Sequence, residues 1–342
     1  MRDLVADLTR FDAAGPVARA VVLGTWGSAP RPAGAVLLAA ADGRMAGSVS
    51  GGCVENAVIE EIAAARTRGT PKRLRYEVSD ETAWSVGLAC GGTIEVLAEG
   101  SVPEEVRSAM SEARGSVVVS SLDSARRWRV VEDGSVVGPE ELPSEVVTAA
   151  LEALRSERST LIDASHLASF AAAQDRPRTS HLFLEAFPRH PELCVIGAGH
   201  VAQELVPLAR RMGFRTLVFD SRSAFLTRER FPDADELMLG WPAEELSKRL
   251  GPGSFVCVLS HDPKLDEPCV RLALRSPARY IGVIGSKKNQ EKRRAALVAE
   301  GFSAAEIARL RGPIGLPLGG KQPNEIALAV MAEIVKARYG GG

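Results

Sequence analysis

Long apolar runs are absent from this chain of 342 residues. A helix that crosses a bilayer needs about 20 consecutive apolar residues, and no stretch approaches that. The opening MRDLVADLTRFDAAG is broken by acids and lacks the apolar core of a signal peptide, so a cytoplasmic protein without membrane association is expected. An excess of charge of either sign is also missing, since 42 Lys and Arg stand against 43 Asp and Glu. That balance excludes the basic footprint by which proteins gather nucleic acid or anionic lipid. Cysteine is scarce as well. Cys53, Cys90, Cys194, Cys257 and Cys269 are scattered with no CxxC pair, which argues against a disulfide framework and a structural zinc site and leaves free thiols for chemistry. His166, His181 and His190 show no metal-ligand spacing.

What the chain does have is a nucleotide-binding β-α-β pattern from Leu193 to Asp220, LCVIGAGHVAQELVPLARRMGFRTLVFD. An apolar strand meets a glycine turn, an amphipathic helix follows, and a second apolar run ends on an acid. Gly197 permits the tight turn, Gly199 lets backbone N–H groups approach a pyrophosphate, and Ala202 keeps helix and strand close. Asp220 is placed for a ribose hydroxyl. The pattern continues with strands at Glu236 to Leu239, Phe255 to Leu259 and Tyr280 to Ile284, and with helices at Pro242 to Leu250 and Leu265 to Leu274. Strands and helices in alternation predict a Rossmann-like, doubly wound parallel sheet. Ligands of such sheets sit at the carboxyl ends of the strands, which singles out His200, His261, Gly285, Ser286 and Lys287 as a polar mouth. Lys321 is not a Walker lysine, because Gln322 follows it.

Length predicts two domains. Pro188-Arg189-His190-Pro191 precedes the glycine-turn strand, so the boundary is placed there, giving 1–188 and 189–342. The first domain reads as mixed α/β. A short helix over Asp3 to Phe11 leads to a strand at Val17 to Leu23 and a Gly- and Pro-rich loop from Gly24 to Gly34 that carries Arg31. Arg31 is a candidate fork for a phosphate or carboxylate. Strands at Ala35 to Ala40 and Met45 to Val49 then run into Ser50-Gly51-Gly52-Cys53-Val54-Glu55 and a helix that closes at Gly69. Glycines before a helix expose N–H groups to an anion, and a cysteine there has its thiolate stabilised; Cys53 is the candidate reactive thiol. A second cysteine-glycine loop, Cys90-Gly91-Gly92, precedes the strand at Thr93 to Ala98, and the two loops are expected to converge on one cleft. Further strands are expected at Ser116 to Leu122, Trp128 to Val131, Leu161 to Asp163 and His181 to Phe187, with helices at Pro103 to Ala113 and Glu141 to Leu154.

Taken together, these stretches resemble the XdhC/CoxI family of molybdenum-cofactor maturation proteins. The resemblance rests on GSAPRPAGA (Gly27 to Ala35), GSVSGGCVE (Gly47 to Glu55), CGG (Cys90 to Gly92), VIGAGHVA (Val195 to Ala202), FDSR (Phe219 to Arg222), LSHDPKLD (Leu259 to Asp266), YIGVIGSKK (Tyr280 to Lys288) and PNEIALAVMAEIV (Pro323 to Val335). It covers nearly the whole chain. It departs from the family pattern at Lys321-Gln322, where an acidic residue is more usual before the proline. The resemblance implies a chaperone, not a stand-alone enzyme, that binds the molybdenum cofactor (molybdopterin), assists its sulfuration with an L-cysteine desulfurase and delivers it to a xanthine dehydrogenase-type molybdenum hydroxylase. It implies sulfur handling or a transient molybdenum contact for Cys53, with Cys90 in the second loop. The cofactor-contacting set is then Arg31, Gly51, Gly52, Glu55, Gly91 and Gly92, with Gly197, Gly199, His200, Asp220, His261, Gly285, Ser286 and Lys287 receiving either the cofactor tail or NAD(P) or another nucleotide. The physical chemistry agrees, for a phosphate needs N–H donors and arginine and a dithiolene suits a nearby thiolate.

Two other readings follow from the same residues. An NAD(P)-dependent oxidoreductase would use Asp220 for the dinucleotide and His200 or His261 as acid/base, and would leave the first domain without a role. A nucleotide-gated adaptor would bind dinucleotide without pterin. A homodimer is the default assembly for soluble proteins.

Overall fold

The computed structural model of the chain describes residues 2–27, 31–52, 54–78, 92–165 and 181–340. It divides into two compact units, Met1–Arg189 and His190–Gly342.

In the first unit, α1 (Val5–Asp12) leads into β1 (Val17–Gly27), β2 (Val36–Ala40), β3 (Met45–Gly47), α2 (Glu55–Arg68), β4 (Lys72–Val78) and β5 (Gly92–Glu99). Then α3 (Glu104–Ser111) leads into β6 (Ser116–Ser121), β7 (Arg127–Val131), β8 (Val136–Val137), α4 (Ser144–Arg155), β9 (Thr160–Asp163) and β10 (His181–Phe187). The two halves have the same topology. Their antiparallel sheets run β3-β2-β1-β5-β4 and β8-β7-β6-β10-β9, each with its helix between the third and fourth strands. Registers correspond too: Arg19 on β1 lies opposite Glu99 on β5, and Val118 on β6 lies opposite Glu185 on β10. The turns Asp42-Gly43 and Asp133-Gly134 match in detail, each aspartate accepting from the N–H two residues on. The repeat was not expected from the sequence, because outside those turns and the Glu99/Glu185 pair few equivalent positions carry the same residue.

Alternation along β1 explains the layering. Val17, Val21 and Leu23 face a core shared with α1, α3 and the second sheet, whereas Ala18, Ala20 and Val22 face α2. The second sheet places Trp128, Val130 and Leu184 against α4 in the same way. On the shared face, Arg19 is 1% exposed, and it donates to Glu99 at 2.6 Å and to Glu185 at 2.8 Å. One buried arginine thus joins equivalent glutamates of the two sheets. The strand expected to reach Val49 stops at Gly47, where φ is +81° and a Cβ would lie 2.2 Å from the Val36 carbonyl. β1 instead runs past Leu23 to Gly27, pairing with β5 through a bulge between Val22 and Gly24.

The second unit is a parallel sheet ordered β13-β12-β11-β14-β15-β16. Its strands are β11 (Glu192–Ile196), β12 (Arg215–Asp220), β13 (Glu236–Leu239), β14 (Ser254–Val258), β15 (Tyr280–Val283) and β16 (Leu310–Arg311). The helices are α5 (His200–Arg211), α6 (Pro242–Leu246), α7 (Pro263–Arg275), α8 (Lys287–Ala299), α9 (Ala304–Ala308) and α10 (Pro323–Tyr339). Leu193 and Val195 face the side covered by α5 and α10, while Cys194 and Ile196 face the side of α6 to α9. This is the doubly wound arrangement expected. The helix foreseen to Leu250 ends at Leu246 and gives way to turns. Among the described residues no helix is long and apolar enough to cross a membrane.

Candidate functional site

Glu55 organises the first candidate site. It is the first residue of α2, and its carboxylate reaches back over the preceding loop. One oxygen accepts from the Ser48 hydroxyl at 2.6 Å and from the N–H groups of Ser50 (2.9 Å) and Gly51 (3.1 Å). The other accepts from the Gly52 N–H at 2.9 Å and from the Ser50 hydroxyl. Such convergence requires a backbone that curls, and Gly51 (φ +82°) and Gly52 (φ +123°) supply it. Burial works to raise the Glu55 pKa, but the hydroxyls of Ser48 and Ser50 and the backbone donors outweigh it and pull it down to about 2.

The glycine N–H groups foreseen as donors to a cofactor phosphate therefore already face an anion of the chain itself. Within the chain, the Glu55 carboxylate builds the loop by accepting from the N–H groups of Ser50, Gly51 and Gly52. Ser48 and Ser50 went unnoticed in the sequence, although their alternation before the glycine pair was the available signal. Cys53, Cys90 and Gly91 lie outside the described residues, as does the expected convergence of the two cysteine-glycine loops. Gly92 opens β5 opposite Gly27. Arg31 is exposed; burial works to raise the Asp3 carboxyl, and the charge of Arg31 is a minor contributor to holding it below its usual range.

The second candidate site lies at the carboxyl edge of the parallel sheet, where β11 separates strands whose helices pack on opposite faces. Gly197 (φ +99°) sits against the next loop, for a Cβ there would lie 2.6 Å from Ser260 Cα. Gly199 differs. Its φ is −80°, and a Cβ built on it meets nothing within 4 Å. The space above the start of α5 is thus open, and His200 is exposed beside it. The helix has no side-chain cap there, so its first-turn N–H groups present the partial positive charge that binds phosphate.

Asp220 is 0% exposed, and both of its oxygens are engaged. One accepts from the Ala198 N–H at 2.7 Å and from Arg222 Nη2 at 2.8 Å; the other accepts from Arg222 N and Nε, both at 2.9 Å. Burial pushes its pKa up, and these bonds bring it below the usual carboxylate range. Asp220 thereby ties the glycine turn to β12 and orients Arg222, whose guanidinium is also stacked 4.1 Å from the Phe225 ring centre. Arg222 belongs to the FDSR stretch but was not singled out; an arginine two residues past the strand-end acid was the clue.

Across the crevice, His261 is exposed with φ +63°, a left-handed conformation that costs a non-glycine residue energy. Its loop is pinned on both sides. The Ser260 hydroxyl accepts from the Asp262 N–H and donates to Asp266, while Asp262 caps α7 through the Lys264 N–H. Asp266 is 2% exposed, and burial raises its pKa against the pull of Ser260 and Arg293. On the neighbouring strand Gly285 (φ +135°) precedes Ser286, which caps α8, and Lys287 is exposed at its first turn. Gln290, buried beneath, donates to the Val283 and Ile284 carbonyls and fixes that loop. The structure thus gathers Gly197, Gly199, His200, Arg222 and His261 at one edge, with Ser286 and Lys287 one strand further along. Cys194, Cys257 and Cys269 are buried away from it, burial pushing the Cys194 thiol up to about 12, so these three offer no reactive thiol. Among the described residues no His, Cys, Asp and Glu side chains cluster as a metal cage.

Comparison with known proteins follows these two regions. The model of the XdhC and CoxI family matches residues 11–77, and that of the XdhC Rossmann domain matches residues 193–334. The chain is 30% identical over 328 residues to a Bacillus subtilis (strain 168) protein named as a probable xanthine dehydrogenase component, covering 93% of this chain and 92% of that one. It is 25% identical over 313 residues to the molybdenum cofactor insertion chaperone PaoD of Escherichia coli (strain K12), covering 91% and 80%. Its fold is shared with a crystal structure from Bacillus halodurans described as a xanthine dehydrogenase, with a TM-score of 0.75 at 24% identity over 100% of this chain and 96% of that one.

Proposed function

Because the chain belongs to the XdhC and CoxI family, we propose that it is a molybdenum-cofactor chaperone that holds the cofactor, presents it for sulfuration by an L-cysteine desulfurase, and hands it to a molybdenum hydroxylase. The observation that carries this reading is the open cradle over Gly199. A pterin cofactor ends in a phosphate. Uncapped N–H groups at the start of α5 offer hydrogen bonds to such a group, and the Arg222 guanidinium offers charge beside it. Fixed by Asp220 and stacked on Phe225, Arg222 loses little freedom on binding. When bound, the cofactor would supply molybdenum and its sulfur ligands; this chain supplies the anion cradle and the Cys53 thiol.

One relative is named a molybdenum cofactor insertion chaperone and another a component of a xanthine dehydrogenase, and both names accord with a hydroxylase client. The nicotinamide alternative is not favoured, since it needs a ribose at Asp220 and both oxygens of that acid are already occupied. Purified anaerobically from a molybdenum-replete host, the protein is expected to carry a pterin that oxidises to a fluorescent product. Cys53→Ala is expected to reduce activation of a co-expressed xanthine dehydrogenase at least tenfold. Absence of pterin together with full activation by Cys53→Ala would overturn the proposal.

A further inference from the structure

A cavity of about 330 Å³ opens in the first unit at the far end of α2 from the glycine loop, about 20 Å away at 1.5 Å per helical residue. Its walls come from both topological repeats. Arg66 belongs to the last turn of α2, Thr70 precedes β4, Glu99 and Ser101 lie at and past the end of β5, and Ala125 and Arg127 come from the β6–β7 turn and β7.

Three observations mark it as built for an anion. First, the Nε atoms of both Arg66 and Arg127 are buried without a hydrogen-bond acceptor. On the same guanidiniums, Arg66 Nη2 donates to the Ala39 carbonyl at 3.0 Å and Arg127 Nη2 donates to Glu99. A buried guanidinium N–H left without an acceptor is destabilising, and here the two residues that carry such groups line one cavity. Second, local charge does not balance. Arg19, Arg66 and Arg127 stand against Glu99 and Glu185, and both Glu99 oxygens are already held by Arg19 and Arg127. One positive charge is unanswered, so this acid does not repel an arriving anion as a free carboxylate would.

Third, the equivalent place in the other repeat is packed more closely. By the register of the repeats, Ala125 corresponds to Gly34 and the Thr70-Pro71 segment to Ser159. In that second location Gly34 packs on Ser159 so closely that a Cβ would lie 2.3 Å from its Oγ, and Val36 takes the place of Arg127. The place lined by Arg66 and Arg127 is open, whereas its counterpart is narrowed by the Gly34–Ser159 approach.

We propose that this cavity is a second ligand site, separate from the cofactor cradle, that takes a small phosphate-bearing molecule or free phosphate. Guanidiniums on a helix and on a strand approach from different walls, which suits a tetrahedral oxyanion better than a planar carboxylate, and the Thr70 and Ser101 hydroxyls of the lining add donors.

The test is calorimetric titration of the full chain with inorganic phosphate at constant ionic strength, in a Gly199→Ala background that removes the cradle of the second unit. Saturable binding is expected, weakened at least tenfold by Arg127→Gln, by Arg66→Met and by Ala125→Trp. The last of these fills the cavity and leaves every charge in place, so it stands even where an arginine variant fails to fold. Stronger binding of glycerol 3-phosphate than of phosphate would assign the site to a phosphomonoester, and the reverse order to the free ion; either supports the proposal. No binding in the Gly199→Ala chain, or binding unchanged by Ala125→Trp, would overturn it, and neither result bears on whether the protein carries a pterin.

Discussion

Gly197 and Gly199 stand two positions apart in one turn, yet their substitution is expected to have opposite consequences. Gly197→Ala meets a left-handed φ of +99° and the Ser260 backbone at 2.6 Å, so a loss of roughly 2–5 kcal/mol of stability is expected from strain and overpacking together. Gly199→Ala faces open space at φ −80°; its melting temperature should stay within a degree or two while pterin retention falls about tenfold, because the methyl group stands where a phosphate would approach. Thermal denaturation and pterin fluorescence on the two variants check this. Equal destabilisation by both would remove the distinction. At this scale much was legible in the sequence: the glycines, His200, His261, Ser286 and Lys287 were all singled out at strand ends. Asp220 was also noticed, but its partner was not. Whether a strand-end carboxylate faces a ribose or its own glycine turn depends on where Arg222 swings, and no spacing rule encodes that.

At the scale of the element, the loop before α2 is held by one ionised carboxylate. Glu55 has a pKa of about 2 in the folded chain against 4.5 for an unperturbed glutamate. Since the folded value is the lower one, its contribution to loop order is fully present above about pH 4.5 and is lost as pH falls toward 2. Amide hydrogen exchange of Ser50, Gly51 and Gly52 should therefore keep its protection, after correction for intrinsic rates, from pH 8 to 5 and lose it in stronger acid. Glu55→Gln should abolish that protection even at pH 7 and cost about 1–2 kcal/mol, because an amide nitrogen is set among donors. Protection retained in Glu55→Gln would show that the glycines hold the loop unaided. The element itself was predictable, with apolar Val58, Ile62 and Ala65 at helical spacing and a Gly69 stop. That the acid of the motif is the internal anion of the loop became visible only when the carboxylate was seen to reach back over its own helix start.

For the whole molecule, two compact units divided at Arg189 and His190 predict that chains 1–189 and 190–342 expressed separately each unfold cooperatively. Failure of either to give a cooperative thermal transition by circular dichroism would refute independent folding. The sequence by itself determined the second unit almost strand for strand, because βαβ order is written locally, in apolar runs, glycine turns and helix caps. It also determined most elements of the first unit and the neighbourhood of its glycine loop. Only the tertiary structure decided that the first unit is one topology used twice, that Arg19 is clamped by equivalent glutamates, and that arginines from both repeats line one cavity. Those features rest on antiparallel partners as far apart as Arg19 and Glu99 and on an Arg19–Glu185 bond between the two sheets that spans 166 residues, and such contacts leave no local period in the chain from which they could be read.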